Sequence, residues 1–185
     1  GHKNHPEVIG TMGQVSSNIF LIENENDVDK LELKQNRKIA YVTQTTLSVD
    51  DTKKIIKKLK LKYPNIIEPK KNDICYATTN RQEAVKKIAP KCDLFIIMGG
   101  KNSSNSLRLE EVAKMYGAKK SILLENIEKF DIKNLHKVVN VGITASASAP
   151  EILIQNFIEF LKKDYEVIVK EEKYNSEDVF FKIPE

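Results

Sequence analysis

Residues 73–81, Asp-Ile-Cys-Tyr-Ala-Thr-Thr-Asn-Arg, place a single thiol among hydroxyls, an amide and a guanidinium, with a helix expected to begin at about Thr79. A thiol at a helix start beside a guanidinium is biased toward thiolate, the form that ligates metals and does redox chemistry. One cysteine cannot hold a metal cluster alone. The only other cysteine, Cys92, runs straight into Leu94–Met98 without polar company and reads as a small apolar residue. His5-Pro6-Glu7 is a second candidate, because in an extended segment side chains two positions apart share one side of the chain. A glutamate in a partly apolar site keeps a proton near neutral pH, as a general acid must. A surface loop is the alternative reading of that stretch.

Two further stretches are rich in small polar residues: Lys101-Asn102-Ser103-Ser104-Asn105-Ser106 and Thr144-Ala145-Ser146-Ala147-Ser148-Ala149-Pro150. Each follows an apolar run and precedes an amphipathic one. Hydroxyls and backbone N–H groups at a helix start meet the equivalent of roughly half a positive charge, and two such starts suit a diphosphate. Ser103, Asn105 and Ser148 could instead be plain N-caps, each contributing about 1 kcal/mol. The first stretch carries more polar groups than one cap uses. Thr43-Gln44-Thr45-Thr46 closes another β-branched run, so Thr45 or Thr46 could offer a hydroxyl to the same crevice. Gly99-Gly100-Lys101 lacks the earlier glycine of a P-loop, which excludes a nucleoside triphosphatase.

The elements that must position these groups alternate. Strands are expected at Ile39–Val42, Leu94–Met98, Ile122–Leu124 and Val138–Ile143, and amphipathic stretches follow three of them. The first helix should start at Ser48-Val49-Asp50-Asp51, show Ile55, Ile56, Leu59 and Leu61 on its apolar stripe, and stop before Pro64. Next comes a helix along Leu107, Leu109, Val112, Ala113 and Met115, ended by Gly117, and then one along Ile152, Leu153, Phe157, Ile158 and Leu161. Alternating strands and helices predict an α/β fold with parallel sheets flanked by helices, whose ligands settle outside the carboxyl ends of the strands. The polar stretch Glu68–Asp73 suggests one α/β unit over 1–71 and another over 72–162. A tail over 163–185 alternates like edge strands, at Val167 and Val169 and then at Val179, Phe181 and Ile183.

The 185 residues suffice for a sizeable core, at about 70 % burial of the unfolded surface. With 41 % hydrophobic and 30 % charged residues, no apolar run approaches the ~18 residues of a membrane helix. No targeting segment is written at the start, and two cysteines suggest a reducing compartment. The net charge of +4 is almost all lysine, set on expected helices without interleaved aromatics, so it reads as a solvated face and not a nucleic-acid surface. A phosphate-binding α/β module without catalysis would satisfy everything so far.

Taken in order, His5–Gln14, Thr43–Thr52, Asp73–Gln82, Lys101–Ser106 and Thr144–Pro150 resemble the IspH or LytB family, which reduces 4-hydroxy-3-methylbut-2-enyl diphosphate to isopentenyl and dimethylallyl diphosphate. The resemblance runs over nearly the whole chain. It implies two of the three α/β units of a trefoil arrangement, and a 4Fe-4S cluster held by three cysteine thiolates and reduced by a ferredoxin or flavodoxin. By position it implies Cys75 as one cluster ligand, Glu7 as proton donor, and Thr45 as its partner at the substrate hydroxyl. His5, Ser103, Ser104, Asn105 and Ser148 would hold the diphosphate, and Thr78 would lie near the cluster. The family's remaining two cysteines and two further histidines belong to a preceding domain, so the 185 residues are expected to hold no stable cluster and to be inactive alone. The compartment would be a plastid stroma or a bacterial cytoplasm, and abundant Lys and Asn, as AT-rich coding produces, incline the reading to the plastid.

Overall fold

The structure is a computed structural model that describes residues 1–34 and 37–172. The chain divides into two compact units, Gly1–Thr79 and Asn80–Glu185.

The second unit is built on a parallel sheet. Strands β1 (Leu94–Met98), β2 (Lys120–Leu124) and β3 (Val141–Ala145) lie in the order β2-β1-β3, with Leu94 opposite both Lys120 and Val141. Every residue of β1 is buried, as a central parallel strand covered on both faces requires. Side chains alternate across it. Phe95 and Ile97 join Val85, Ala89, Leu109, Val112 and Ala113 on one face, whereas Leu94, Ile96 and Met98 join Leu124, Phe157 and Leu161 on the other. The first face is covered by α4 (Tyr76–Ile88), which begins before the unit boundary, and α5 (Ser104–Met115); the second by α6 (Ile152–Lys162). Phe130 meets Phe157 edge to face at 5.1 Å, a preferred aromatic geometry.

Gly142 in β3 is fixed by this packing. A Cβ there would lie 2.5 and 2.6 Å from Phe95 ring atoms and 2.8 Å from Cys92 Sγ. Gly142→Ala is therefore expected to destabilise the unit by about 1–3 kcal/mol through overpacking, readable as a lower denaturant midpoint at unchanged slope.

The first unit holds α1 (Pro6–Met12), α2 (Glu25–Lys30) and α3 (Val49–Lys62). Ser48 caps α3, its Oγ accepting from the Asp51 amide at 3.2 Å, as the Ser-Val-Asp-Asp signature predicts. Leu59 and Tyr63 pack on Val28 of α2, with Ile22, Ile39, Ile55 and Ile66 around them. Two lysines of α3 are paired across elements, Lys58 with Asp29 at 2.6 Å and Lys60 with Glu68 at 2.7 Å.

Several local expectations need correction. Ile39–Val42 forms no strand, only an isolated parallel bridge between Ala40 and Ile67. Strand β3 starts at Val141 and not Val138, because Lys137 takes a left-handed φ of 59° and the Val138 amide turns back to Leu135 O. Leu61 is 75 % exposed, off the buried face of α3. His5-Pro6-Glu7 is neither extended nor a loop but the start of α1, since proline at the first helical position and an acid in the first turn both favour a helix start. Tyr165–Glu172 carries no strand, and Val179, Phe181 and Ile183 lie outside the described residues.

Candidate functional site

Within the first unit, Glu7, Thr45 and Cys75 are brought together by hydrogen bonds. The Thr45 amide donates to Glu7 Oε1 at 3.0 Å and Oε2 at 3.2 Å, and Thr45 Oγ1 donates to Oε2 at 3.0 Å. The carboxylate and the threonine are both half-buried. From the other side, the Cys75 amide donates to Thr45 O at 3.1 Å. One residue thus ties the acid to the thiol-bearing loop. Helix α4 begins at Tyr76, three residues earlier than expected, and the Thr79 amide bonds Cys75 O at 2.9 Å. Cys75 is therefore the residue immediately before the helix, half-buried and free. Thr78 is 2 % exposed in the first turn of α4.

His5 caps α1, its Nδ1 accepting from the Glu7 amide at 3.3 Å. Two residues the sequence reading passed over hold this frame. Gln44, 4 % exposed, accepts from the His2 amide at 3.0 Å and donates to Thr46 Oγ1 at 2.9 Å. Asp73 accepts from the Thr43 amide at 2.8 Å. The signal for Asp73 was an acid just before the Cys75 loop, but a contact over 30 residues leaves no local pattern.

In the second unit, the loops leaving β1 and β3 meet at Gly99. A Cβ on Gly99 would collide with Ser106 Oγ and come within 3.0 Å of Ser146 Oγ. Only a glycine lets these hydroxyls approach the end of the central strand. Ser103 is the N-cap of α5, its Oγ accepting from the Ser106 amide at 3.3 Å. Ser104 is the first helical residue and half-buried. Asn105 is 6 % exposed, yet its side-chain Oδ1 and Nδ2 have no hydrogen-bond partner, and neither does Ser106 Oγ. Buried amides left unpaired are costly and uncommon, which points to a polar ligand at this turn. Ser148 is exposed, 3.4 Å from Ser146 Oγ. It is not a helix cap: α6 starts at Ile152 after Glu151, without a side-chain cap. Of the three plain-cap alternatives, only Ser103 caps. The Arg81 guanidinium, expected to act on the thiol, donates its Nε to Ala145 O at 3.1 Å.

The two thiols differ. Cys92 is buried, touches Ile88 O at 3.3 Å, and is pushed up from its usual pKa by desolvation, then by Asp93. Brief treatment of the native chain with iodoacetamide at neutral pH should therefore label Cys75 and spare Cys92, as peptide mapping would read; equal labelling would contradict the buried placement. Among the described residues, no group of three or more His, Cys, Asp or Glu is placed to hold a metal. Among the described residues, Cys75 is the half-buried free thiol and Cys92 the buried one, and a 4Fe-4S cluster takes several thiolates.

The LytB protein family model matches residues 1–162. Over 184 residues the chain is 48 % identical to a 4-hydroxy-3-methylbut-2-enyl diphosphate reductase of Ehrlichia ruminantium, covering 100 % of this chain and 56 % of that protein. It is 49 % identical to the enzyme of the same name from Actinobacillus succinogenes, covering 59 % of it. Among solved structures it superposes on the E-1-hydroxy-2-methyl-but-2-enyl-4-diphosphate reductase from Plasmodium falciparum with a TM-score of 0.83 and 43 % identity, over 87 % of this chain and 50 % of that one. The chain spans little more than half the length of these relatives. With the parallel sheet, the Glu7–Thr45–Cys75 linkage and the serine-rich turns already in view, this match over 162 residues assigns the chain to the LytB protein family.

Proposed function

We propose that this chain is part of a 4-hydroxy-3-methylbut-2-enyl diphosphate reductase, supplying the proton donor, one cluster thiolate and part of the diphosphate grip. The observation that carries this reading is Thr45, whose amide and hydroxyl hold Glu7 while its carbonyl accepts from Cys75. An acid and a metal-ligating thiol on two sides of one residue are what a reductive dehydroxylation needs. That conversion takes up two electrons and two protons, replaces a C–O bond by C–H and releases water. Glu7 would deliver a proton, and Thr45 Oγ1, which can accept as readily as donate, would hold the substrate hydroxyl. His5, Ser103, Ser104, Asn105 and Ser148 would bind the diphosphate. The similarity in sequence and fold to the named reductases supports the same reading.

We further propose residues 1–71 and 72–162 as the second and third units of a trefoil, a ferredoxin or flavodoxin as electron donor, and a plastid stroma or bacterial cytoplasm as the setting. No described helix is long and apolar enough to cross a membrane. A cluster on Cys75 requires two thiols from outside these residues. Anaerobic reconstitution of the complete polypeptide should give the broad visible absorption and the electron paramagnetic resonance signal of an iron–sulfur centre. A colourless protein that still binds pyrophosphate would favour the non-catalytic module.

The unpaired amide gives a separate test. Asn105→Ala in the complete protein should weaken inorganic pyrophosphate binding by about 1–3 kcal/mol in calorimetry, while the melting temperature holds or rises, because an orphaned buried amide is removed. Unchanged affinity would take Asn105 out of the ligand site.

A further inference from the structure

The loop that leaves β3, residues 146–151, has little of its own to hold it. Ala147 and Ser148 are exposed, and α6 begins after Glu151 without a side-chain cap. Its bonds to itself include a turn, with the Ala149 amide on Ser146 O at 3.0 Å, and the 3.4 Å approach of the Ser146 and Ser148 hydroxyls. The direction of the loop is therefore set at its root, by the peptide that joins Ala145 to Ser146.

That peptide is gripped on both sides. Its N–H, from Ser146, donates to Met98 O at the end of β1 at 3.0 Å. A trans peptide is planar and sends its C=O the opposite way, so Ala145 O faces away from β1. In the order β2-β1-β3 that is the outer edge of the described sheet, where no further strand supplies a ladder partner. The partner there is a side chain: Arg81, on the second turn of α4, donates its Nε–H to Ala145 O at 3.1 Å across 64 positions of sequence. A bond from a cation is among the stronger kinds, and a guanidinium keeps its charge at every physiological pH. Ser146 itself is 1 % exposed, and its Oγ lies 3.0 Å from where a Cβ of Gly99 would stand, so the inner side of the root has no room to turn.

We propose that Arg81 is the positioning residue of this loop: it fixes the Ala145–Ser146 peptide plane from the outer edge of β3 and so holds Ser148 in place for the diphosphate. This role rests on the proposed binding of diphosphate by Ser148, through which Arg81 acts. Without the guanidinium the peptide keeps its bond to Met98 O, so the strand survives, but the plane is free to rock about that bond. Ser148, three residues past Ala145 and exposed, is then spread over several positions, and part of the binding energy goes into ordering it again.

The test uses the complete polypeptide, inorganic pyrophosphate in calorimetry, and Arg81→Met, which keeps the apolar stem and loses the donor. Arg81→Met and Ser148→Ala should each weaken binding roughly 10-fold, the size of one lost hydrogen bond. Because the two act through one loop, the double variant should also stay near 10-fold, whereas Arg81→Met joined to Asn105→Ala should multiply the two losses. Arg81→Lys should restore affinity to within about threefold, since the bond to Ala145 O uses one N–H and not a bidentate fork. Amide hydrogen exchange reads the loop directly: Ser146 and Ala149 should exchange roughly 10-fold faster in Arg81→Met, with Ile96 and Ile97 of β1 unchanged. Losses from Arg81→Met and Ser148→Ala that multiply would overturn the proposal, because Arg81 would then act apart from the loop. Equal exchange at Ser146 and Ala149 would overturn it as well, and so would acceleration that includes β1, the mark of a general loss of stability. Unchanged affinity in Ser148→Ala would sink the diphosphate reading of this loop and leave the positioning to be decided by the exchange rates alone. Should Arg81→Met not fold, the unsubstituted protein decides: pyrophosphate should slow exchange of the Arg81 Nε–H and the Ala149 amide, and an Nε–H that exchanges as fast as in free arginine refutes the clamp.

Discussion

Glu7→Gln in the complete protein is expected to leave substrate binding within a few-fold of the parent while kcat falls by roughly 10²–10⁴-fold, the range for loss of a positioned general acid. Glutamine keeps the shape of the side chain and one carbonyl oxygen, so the 3.0 Å bond from the Thr45 amide can persist. Its other end donates where the carboxylate accepted, and it has no proton to give. The expected loss is therefore in turnover and not in affinity, a split that separates chemistry from binding. Stopped-assay kinetics beside calorimetric titration of substrate read both quantities. Unchanged kcat would remove Glu7 from its proposed role, and a large loss of affinity with kcat intact would make it a binding residue. Thr45→Ser should retain most activity, because amide and hydroxyl both remain, whereas Thr45→Val keeps the amide and loses the hydroxyl.

Cys75→Ser in the complete protein is expected to abolish stable cluster binding, seen as loss of iron, sulfide and visible absorption after anaerobic reconstitution, and with it turnover. The fold should survive. The contacts the structure gives Cys75 are made by its backbone, the amide to Thr45 O at 3.1 Å and the carbonyl from Thr79 N at 2.9 Å, and serine preserves both. The change in stability of the apoprotein should stay within about 0.5 kcal/mol, as for a half-buried site with no packing role. Cys92→Ser is the useful contrast, because that thiol is 6 % exposed against the Gly142 side of β3. It should cost stability and leave iron content alone. A Cys75 variant that keeps its full iron content would show that the thiol is incidental.

How far the sequence alone discloses this arrangement depends on the range of the contacts. The turn after β1 was legible, because an unbroken apolar run, a glycine pair and a serine cap are all local signals and fall within residues 94–106. The cap of α3 was legible for the same reason. Asn105 was picked out for its polar excess, but its burial follows from its position on α5 relative to the sheet and not from its neighbours. The Glu7–Thr45 pair spans 38 residues, so no periodicity reveals it, and only the resemblance to a family put the two together. The helical start at Pro6 could have been read from proline at the first position, yet the spacing of His5 and Glu7 suggested an extended segment instead. Ile39–Val42 has the composition of a strand and lacks the ladder, because composition reports what a segment can do and pairing reports which neighbours it has.

The dipole argument for two helix starts also divides on inspection. At α5 the hydroxyl of Ser103 is used on the Ser106 amide, and the groups left over are Asn105 and Ser106. At α6 no side chain caps the helix, and Ser148 stays exposed beside Ser146. Groups not consumed by the fold are available to a ligand, which is a stronger warrant than serine content alone.

The most direct measurement is the anaerobic conversion of 4-hydroxy-3-methylbut-2-enyl diphosphate by the complete polypeptide with a low-potential reductant, followed by mass spectrometry. Isopentenyl and dimethylallyl diphosphate should form together, with one water released per substrate consumed. Tight binding of the substrate by an iron-loaded protein that returns it unchanged would contradict the assignment.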